Sequence, residues 1–107
     1  MDDNEFQRLV DSELDKLYRA LTKAAEKHGF DTDFNAGALT VEFEEPPGKF
    51  VVSPNAPVKQ VWVSAHVRSF KLDWSAEAQA FVLPGGQTLR ELMGECVSKQ
   101  IGEEVNL

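Results

Sequence analysis

Three features of this 107-residue chain predict an α+β fold, a two-layer α–β sandwich whose N- and C-terminal helices pack on one face of an antiparallel sheet. Apolar residues recur at spacings of three and four from Phe6 to Ala25, and again from Leu89 to Ile101. That is the period of an amphipathic helix. Between these segments apolar and polar residues alternate, as they do in half-buried strands. Clusters of Gly, Pro and Asn cut the alternating region into short pieces. The order helix, strands, helix leaves two apolar stripes for one sheet face, and makes residues 1–107 a single domain.

The first helix carries Phe6, Leu9, Val10, Leu14, Leu17, Tyr18, Leu21 and Ala25 on its stripe. Asp2 or Asp3 can cap its start, Lys23, Lys27 and His28 fall in its last turns, and Gly29 stands at its end. Residues 31–34 and 38–44 form a hairpin. If Ala36-Gly37 is a two-residue turn, Phe34 lies opposite Leu39, Asp33 opposite Thr40 and Asp31 opposite Glu42. Leu39, Val41 and Phe43 then face inward. Pro46-Pro47-Gly48 reads as a break, residues 49–53 as a third strand with Phe50 and Val52 inward, and Pro54 to Pro57 as a loop. Residues 60–64 form a fourth strand, 69–74 a fifth with Phe70, Leu72 and Trp74 on one face, and 80–83 a short sixth. Pro84-Gly85-Gly86 turns into the last helix, where Thr88 and Glu91 have the spacing of a capping box. Leu89, Leu92, Met93, Cys96, Val97 and Ile101 form its stripe, Gly102 ends it, and residues 103–107 are a short tail.

The balance of 42% hydrophobic and 27% charged residues is that of a folded domain rather than a disordered chain. Eighteen acidic against 11 basic side chains give a net charge of -7. This argues against nucleic acid and anionic membrane, which need a basic footprint. It favours cations, or a protein bearing a basic patch. Cys96 is the only cysteine, which excludes an internal disulfide and a Cys-rich metal site. No apolar run reaches transmembrane length, and the acidic start at Asp2 and Asp3 is unlike a signal or transit peptide. A cytoplasmic protein is the expectation.

Enzyme chemistry finds little support. His28 and His66 have no Cys or His neighbours at ligand spacing, no phosphate loop is present, and no serine sits in a nucleophile motif. A non-enzymatic protein is expected. Two surfaces remain. Val61 and Val63 share one strand face, so Gln60, Trp62 and Ser64 share the other. A Trp packed beneath a loop, or a strand buried on both faces, is one reading of Trp62; an open binding face is the other, and it gains from the want of any element to cover that side. The second surface is acidic: Asp31, Asp33, Glu42 and Glu44 fall on the outward side of the hairpin and Glu26 ends the preceding helix. Asp11 and Asp15 add a pair on the helix. Carboxylates so grouped suit hard cations; a solvated acidic face is the alternative.

On these residues the sequence resembles bacterial frataxin, the CyaY family, along essentially the whole chain. The resemblance rests on Asn4-Glu5-Phe6 with Leu9, on Asn35-Ala36-Gly37 leading into residues 38–44, and on Pro57-Val58-Lys59-Gln60-Val61-Trp62. Asp73-Trp74 and Leu89-Arg90-Glu91-Leu92 complete it. It implies an iron-binding accessory protein of iron–sulfur cluster assembly that holds Fe(II) and Fe(III) weakly on surface carboxylates. It implies docking on a cysteine desulfurase and a scaffold protein, and a monomer that iron can draw into oligomers. The metal residues it implies are Glu26, Asp31, Asp33, Glu42 and Glu44, with Asp2 and Asp3 as contributors. The partner face it implies is Gln60 and Trp62, to which Ser64, Lys71 and Asn55 are joined as flanks. One departure is marked: where the family runs acids through the end of the first helix, this chain has Arg19, Thr22, Lys23, Ala25 and Lys27. A protein-interaction module acting through Trp62, with little functional metal binding, is the alternative.

Overall fold

The structure, a computed structural model, describes residues 1–107. Helix α1 (Asp3–His28) is followed by β1 (Asp31–Asn35), β2 (Ala38–Glu44) and β3 (Pro47–Asn55). A short 3-10 turn (Ala56–Val58) leads to β4 (Gln60–Ala65), β5 (Arg68–Ser75), β6 (Ala80–Val82) and helix α2 (Leu89–Ile101). The strands form one six-stranded antiparallel sheet in chain order, a meander. Both helices cover one face, as the two apolar stripes require.

Local chemistry fixes the ends of the elements. Asp2 accepts a hydrogen bond from the Glu5 N–H and caps α1. Thr88 and Glu91 exchange both bonds of a capping box at the start of α2, satisfying two donors that the helix leaves free. The β1–β2 turn is Ala36-Gly37, with φ of 54° and 80°. Glycine adopts that left-handed region at no steric cost, and the paired positive angles match the twist of a two-residue hairpin. The resulting register is the one the turn predicts: Phe34 opposite Leu39, Asp33 opposite Thr40 and Asp31 opposite Glu42.

The core lies between the layers. Phe6, Val10, Leu14, Leu17 and Leu21 of α1 and Leu92, Met93, Cys96 and Val97 of α2 meet Leu39, Val41, Phe50, Val52, Val61, Val63 and Leu72 of the sheet. Aromatic contacts span the layers, with Phe6 edge-on to Phe81 at 6.0 Å and Tyr18 against Phe34 at 5.7 Å. Burial pushes the Cys96 thiol up from its ordinary pKa, and neighbouring Glu95 adds to the effect.

Three local expectations are corrected. Pro47 and Gly48 belong to β3, paired with Glu44 and Phe43, so the break is only Glu45-Pro46. Pro54 and Asn55 extend the same strand opposite Val61 and Gln60, leaving a loop of four residues. Proline is tolerated in these places because each lies near a strand end, where a missing donor costs least. The C-terminal segment is not a free tail: Val105 is buried, and the Ser98 hydroxyl accepts from its N–H at 2.8 Å. A further tie that no periodicity announces is Gln100, which is buried and donates from Nε2 to the Pro46 carbonyl at 2.8 Å. A Cβ on Gly48 would fall 2.8 Å from that amide nitrogen, so any other residue there would push the Gln100 side chain away from its bond to Pro46.

Candidate functional site

The uncovered sheet face has Trp62 at its centre. Parity forces this: Val61 and Val63 are fully buried in the core, and Trp62 between them is 38% exposed. Its flat neighbours are Ser53 on β3 and Lys71 on β5, each directly opposite in the register. The Lys71 ammonium stands 4.9 Å from the indole centroid, within the range of a cation–π contact. The indole N–H donates to Gln60 Oε1 at 3.0 Å, and Gln60 Nε2 donates to Asp73 Oδ1 at 3.2 Å. The Gln60 amide therefore uses both ends in orienting its neighbours, and the ring is held in one orientation. Preorganised aromatic groups lose little entropy on binding.

The remaining residues expected on this face are there. Ser64 is exposed, opposite Val51 and Ser69, and Asn55 is half-buried at the end of β3, opposite Gln60. A shallow depression beside the indole is lined by Val51, Ser53, Ser64, Ser69 and Lys71. Sequence reasoning missed Asp73 and Ser53. The signal for Asp73 was available: once Trp62 lies opposite Lys71, Gln60 must lie opposite Asp73.

The acidic residues are spread more thinly. Asp31, Asp33, Glu42 and Glu44 all point outward and are exposed, and Asp31 and Glu42 are cross-strand partners. Glu26 is exposed on α1, in the other layer, around the β1 edge. No three His, Cys, Asp or Glu side chains come together at a spacing that could hold a metal ion. Several carboxylates are also committed elsewhere. Glu42 lies 3.8 Å from Lys49 of β3, Asp15 lies 3.1 Å from Arg19, and Asp11 accepts from Gln7. Asp2 is the helix cap. Asp3 bonds Lys59, whose ammonium holds that carboxyl below the usual aspartate range by hydrogen bond first and charge second. Such an array can offer a cation two ligands at once but encloses none. His28 pairs with Glu103 at 3.4 Å, and His66 occupies the β4–β5 turn against Phe50; neither approaches the carboxylates as a ligand set. No helix is long and apolar enough to cross a membrane.

Comparison with known proteins agrees with this architecture. Residues 1–103 match the family model described as a frataxin-like domain. The iron–sulfur cluster assembly protein CyaY of Tolumonas auensis is 29% identical over 107 residues, covering 100% of this chain and 99% of that protein. The solved structure of the frataxin from Psychromonas ingrahamii superposes with a TM-score of 0.77 at 27% identity, covering 99% of this chain and 97% of that one. Matched along its length in sequence and in fold, the chain belongs to the frataxin-like family, as a bacterial frataxin of the CyaY kind.

Proposed function

We propose that this protein is a non-enzymatic accessory factor of iron–sulfur cluster assembly in the cytoplasm. It docks on a cysteine desulfurase and its scaffold through the Trp62 face and binds Fe(II) or Fe(III) weakly on outward carboxylates. The name of the Tolumonas auensis relative supports the pathway. The observation that carries the docking reading is the fixed indole, tied to Gln60 and Asp73 and overlain by Lys71 on a face no element covers. An exposed aromatic with a fixed rotamer has the character of a binding hot spot. Iron enters as cargo or effector. Carboxylate oxygens suit it chemically, and ligation by two exposed groups limits affinity to the micromolar range or weaker, about -8 kcal/mol at best.

Residue-resolved NMR with each oxidation state of iron tests the metal part. Broadening should centre on Asp31, Asp33, Glu42, Glu44 and Glu26 and should recede as salt rises. Broadening confined to α2, or a nanomolar site on His28 or His66, would overturn it. A second reading, an interaction module with little functional metal binding, is favoured by the lysines and arginine that already neutralise Glu42, Asp3 and Asp15. The double variant Asp31→Asn/Glu42→Gln separates the two. If it still modulates the desulfurase as the parent does with iron present, the interaction-only reading stands; if modulation is lost while docking persists, iron is part of the function.

A further inference from the structure

The charges around the C-terminal segment are sorted. On one side of residues 104–107, the depression between the helices is lined by Lys23, Lys27 and His28 of α1 and Arg90 of α2. On the other side, a second depression is lined by Glu91 and Glu95, with Arg90 and Glu104 shared between the two. In a chain of net charge -7, a groove lined by three full cations, with Glu104 its one acidic side chain and Leu107 beside them, runs against the global balance.

These cations also lack partners. Lys23, Lys27 and Arg90 are exposed and have no carboxylate within ion-pair distance, as is also true of Arg8, Arg68, Lys71 and Lys99; what sets these three apart is that they line one groove. Nor does the helix dipole account for the set. It favours Lys27 in the last turn of α1 but disfavours Arg90, which lies in the first turn of α2. The carboxylates nearest to Arg90 in sequence turn to other donors, Glu91 to the Thr88 N–H and Glu95 to Gln87 Nε2, and line the other depression. Two lysines and an arginine converging from two helices supply multiple charged donors to one volume, the arrangement that oxyanions with clustered charge require.

We propose that the groove between α1 and α2 binds a small multivalent oxyanion, of the polyphosphate or polycarboxylate class, between Lys23, Lys27 and Arg90. This site is independent of the Trp62 face and of any iron on the first hairpin.

Titration of the iron-free protein with inorganic pyrophosphate and, separately, with citrate at fixed ionic strength provides the test, read by backbone amide NMR. Saturable shifts should centre on residues 23–28, 90 and 104–107, and the anion with the lower half-saturation identifies the class. The double variant Lys23→Ala/Arg90→Ala should bind at least about tenfold more weakly, since two charge-assisted contacts are lost. The double variant Lys16→Ala/Arg19→Ala, equal in charge but outside the groove, should stay within about twofold of the parent. Melting in the absence of anion verifies that both variants fold. Equal losses in the two variants, shifts spread over the surface, or failure of both anions to saturate would overturn the proposal. So would saturation by an acidic peptide alone.

Discussion

Trp62 and Trp74 sit on neighbouring strands and meet opposite fates. Trp74 faces the helices, half-buried and edge-on to Phe81 at 5.3 Å. Trp62 faces water, its ring steadied by Gln60 and Lys71. Nothing in the residue type distinguishes them. Strand parity and the placement of both helices on one side decide that one indole packs into the fold and the other is left exposed. The same division separates the two faces of the sheet, one an aromatic and aliphatic interior, the other a largely polar surface with one indole held in place.

The sharpest way to break that contrast is to remove each ring. Trp74→Ala should destabilise the protein by about 3 kcal/mol, the cost of emptying a packed aromatic position. Trp62→Ala should change stability by less than about 1 kcal/mol. Equal losses in chemical denaturation would show that Trp62 is packed like a core residue. Association with a cysteine desulfurase should reverse the order. Trp62→Ala should weaken it by roughly 2 kcal/mol or more, about thirtyfold, a hot-spot cost; unaltered affinity by calorimetry would remove Trp62 from the interface.

Smaller effects sharpen the picture of the covered face. Cys96 packs with Leu92 and Met93, so Cys96→Ala should cost about 1–2 kcal/mol, and a bulky maleimide should label the native thiol slowly because burial keeps it protonated. Thr88→Ala should cost about 1 kcal/mol by undoing the capping box. The least effect is in acid. Asp3 is lowered by Lys59, and Glu91 by the Thr88 N–H. A carboxylate lowered on folding lends stability that is present above its unfolded value and lost as pH falls through its folded one. Both contributions are therefore intact at neutral pH and fade below about pH 4. Asp3→Asn and Glu91→Gln should each flatten the acid limb of a plot of Tm against pH, and an unchanged limb in both would discount the two contacts.

Much of this was legible in the sequence, for physical reasons. Helical stripes, strand parity and the Ala36-Gly37 turn are local patterns, and they suffice for both helices, the β1–β2 register and the outward direction of Trp62. Thr88 and Glu91 announce their cap by spacing alone. What escaped depends on contacts between distant segments. That Lys49 neutralises Glu42 requires the register of β3 on β2, and that Lys59 holds Asp3 requires the 3-10 turn to lie under the start of α1. The burial of Val105 and Gln100 is invisible to periodicity, since each is fixed by one partner rather than by a repeating face. How closely the outward carboxylates approach one another is likewise a matter of side-chain placement that strand parity does not give. These carboxylates share a direction but not a point.

The meander bears on how the chain folds. Every strand pairs with its neighbour in sequence, so the sheet can assemble from short loops whose closure costs little entropy. The helices are different: Phe6 must reach Phe81, and His28 must reach Glu103. Until both have docked, the apolar side of a largely formed sheet stands bare. The long-range closures are therefore those of the two helices. A variant with a weakened α2 dock is expected to expose that apolar face and to aggregate more readily than the parent.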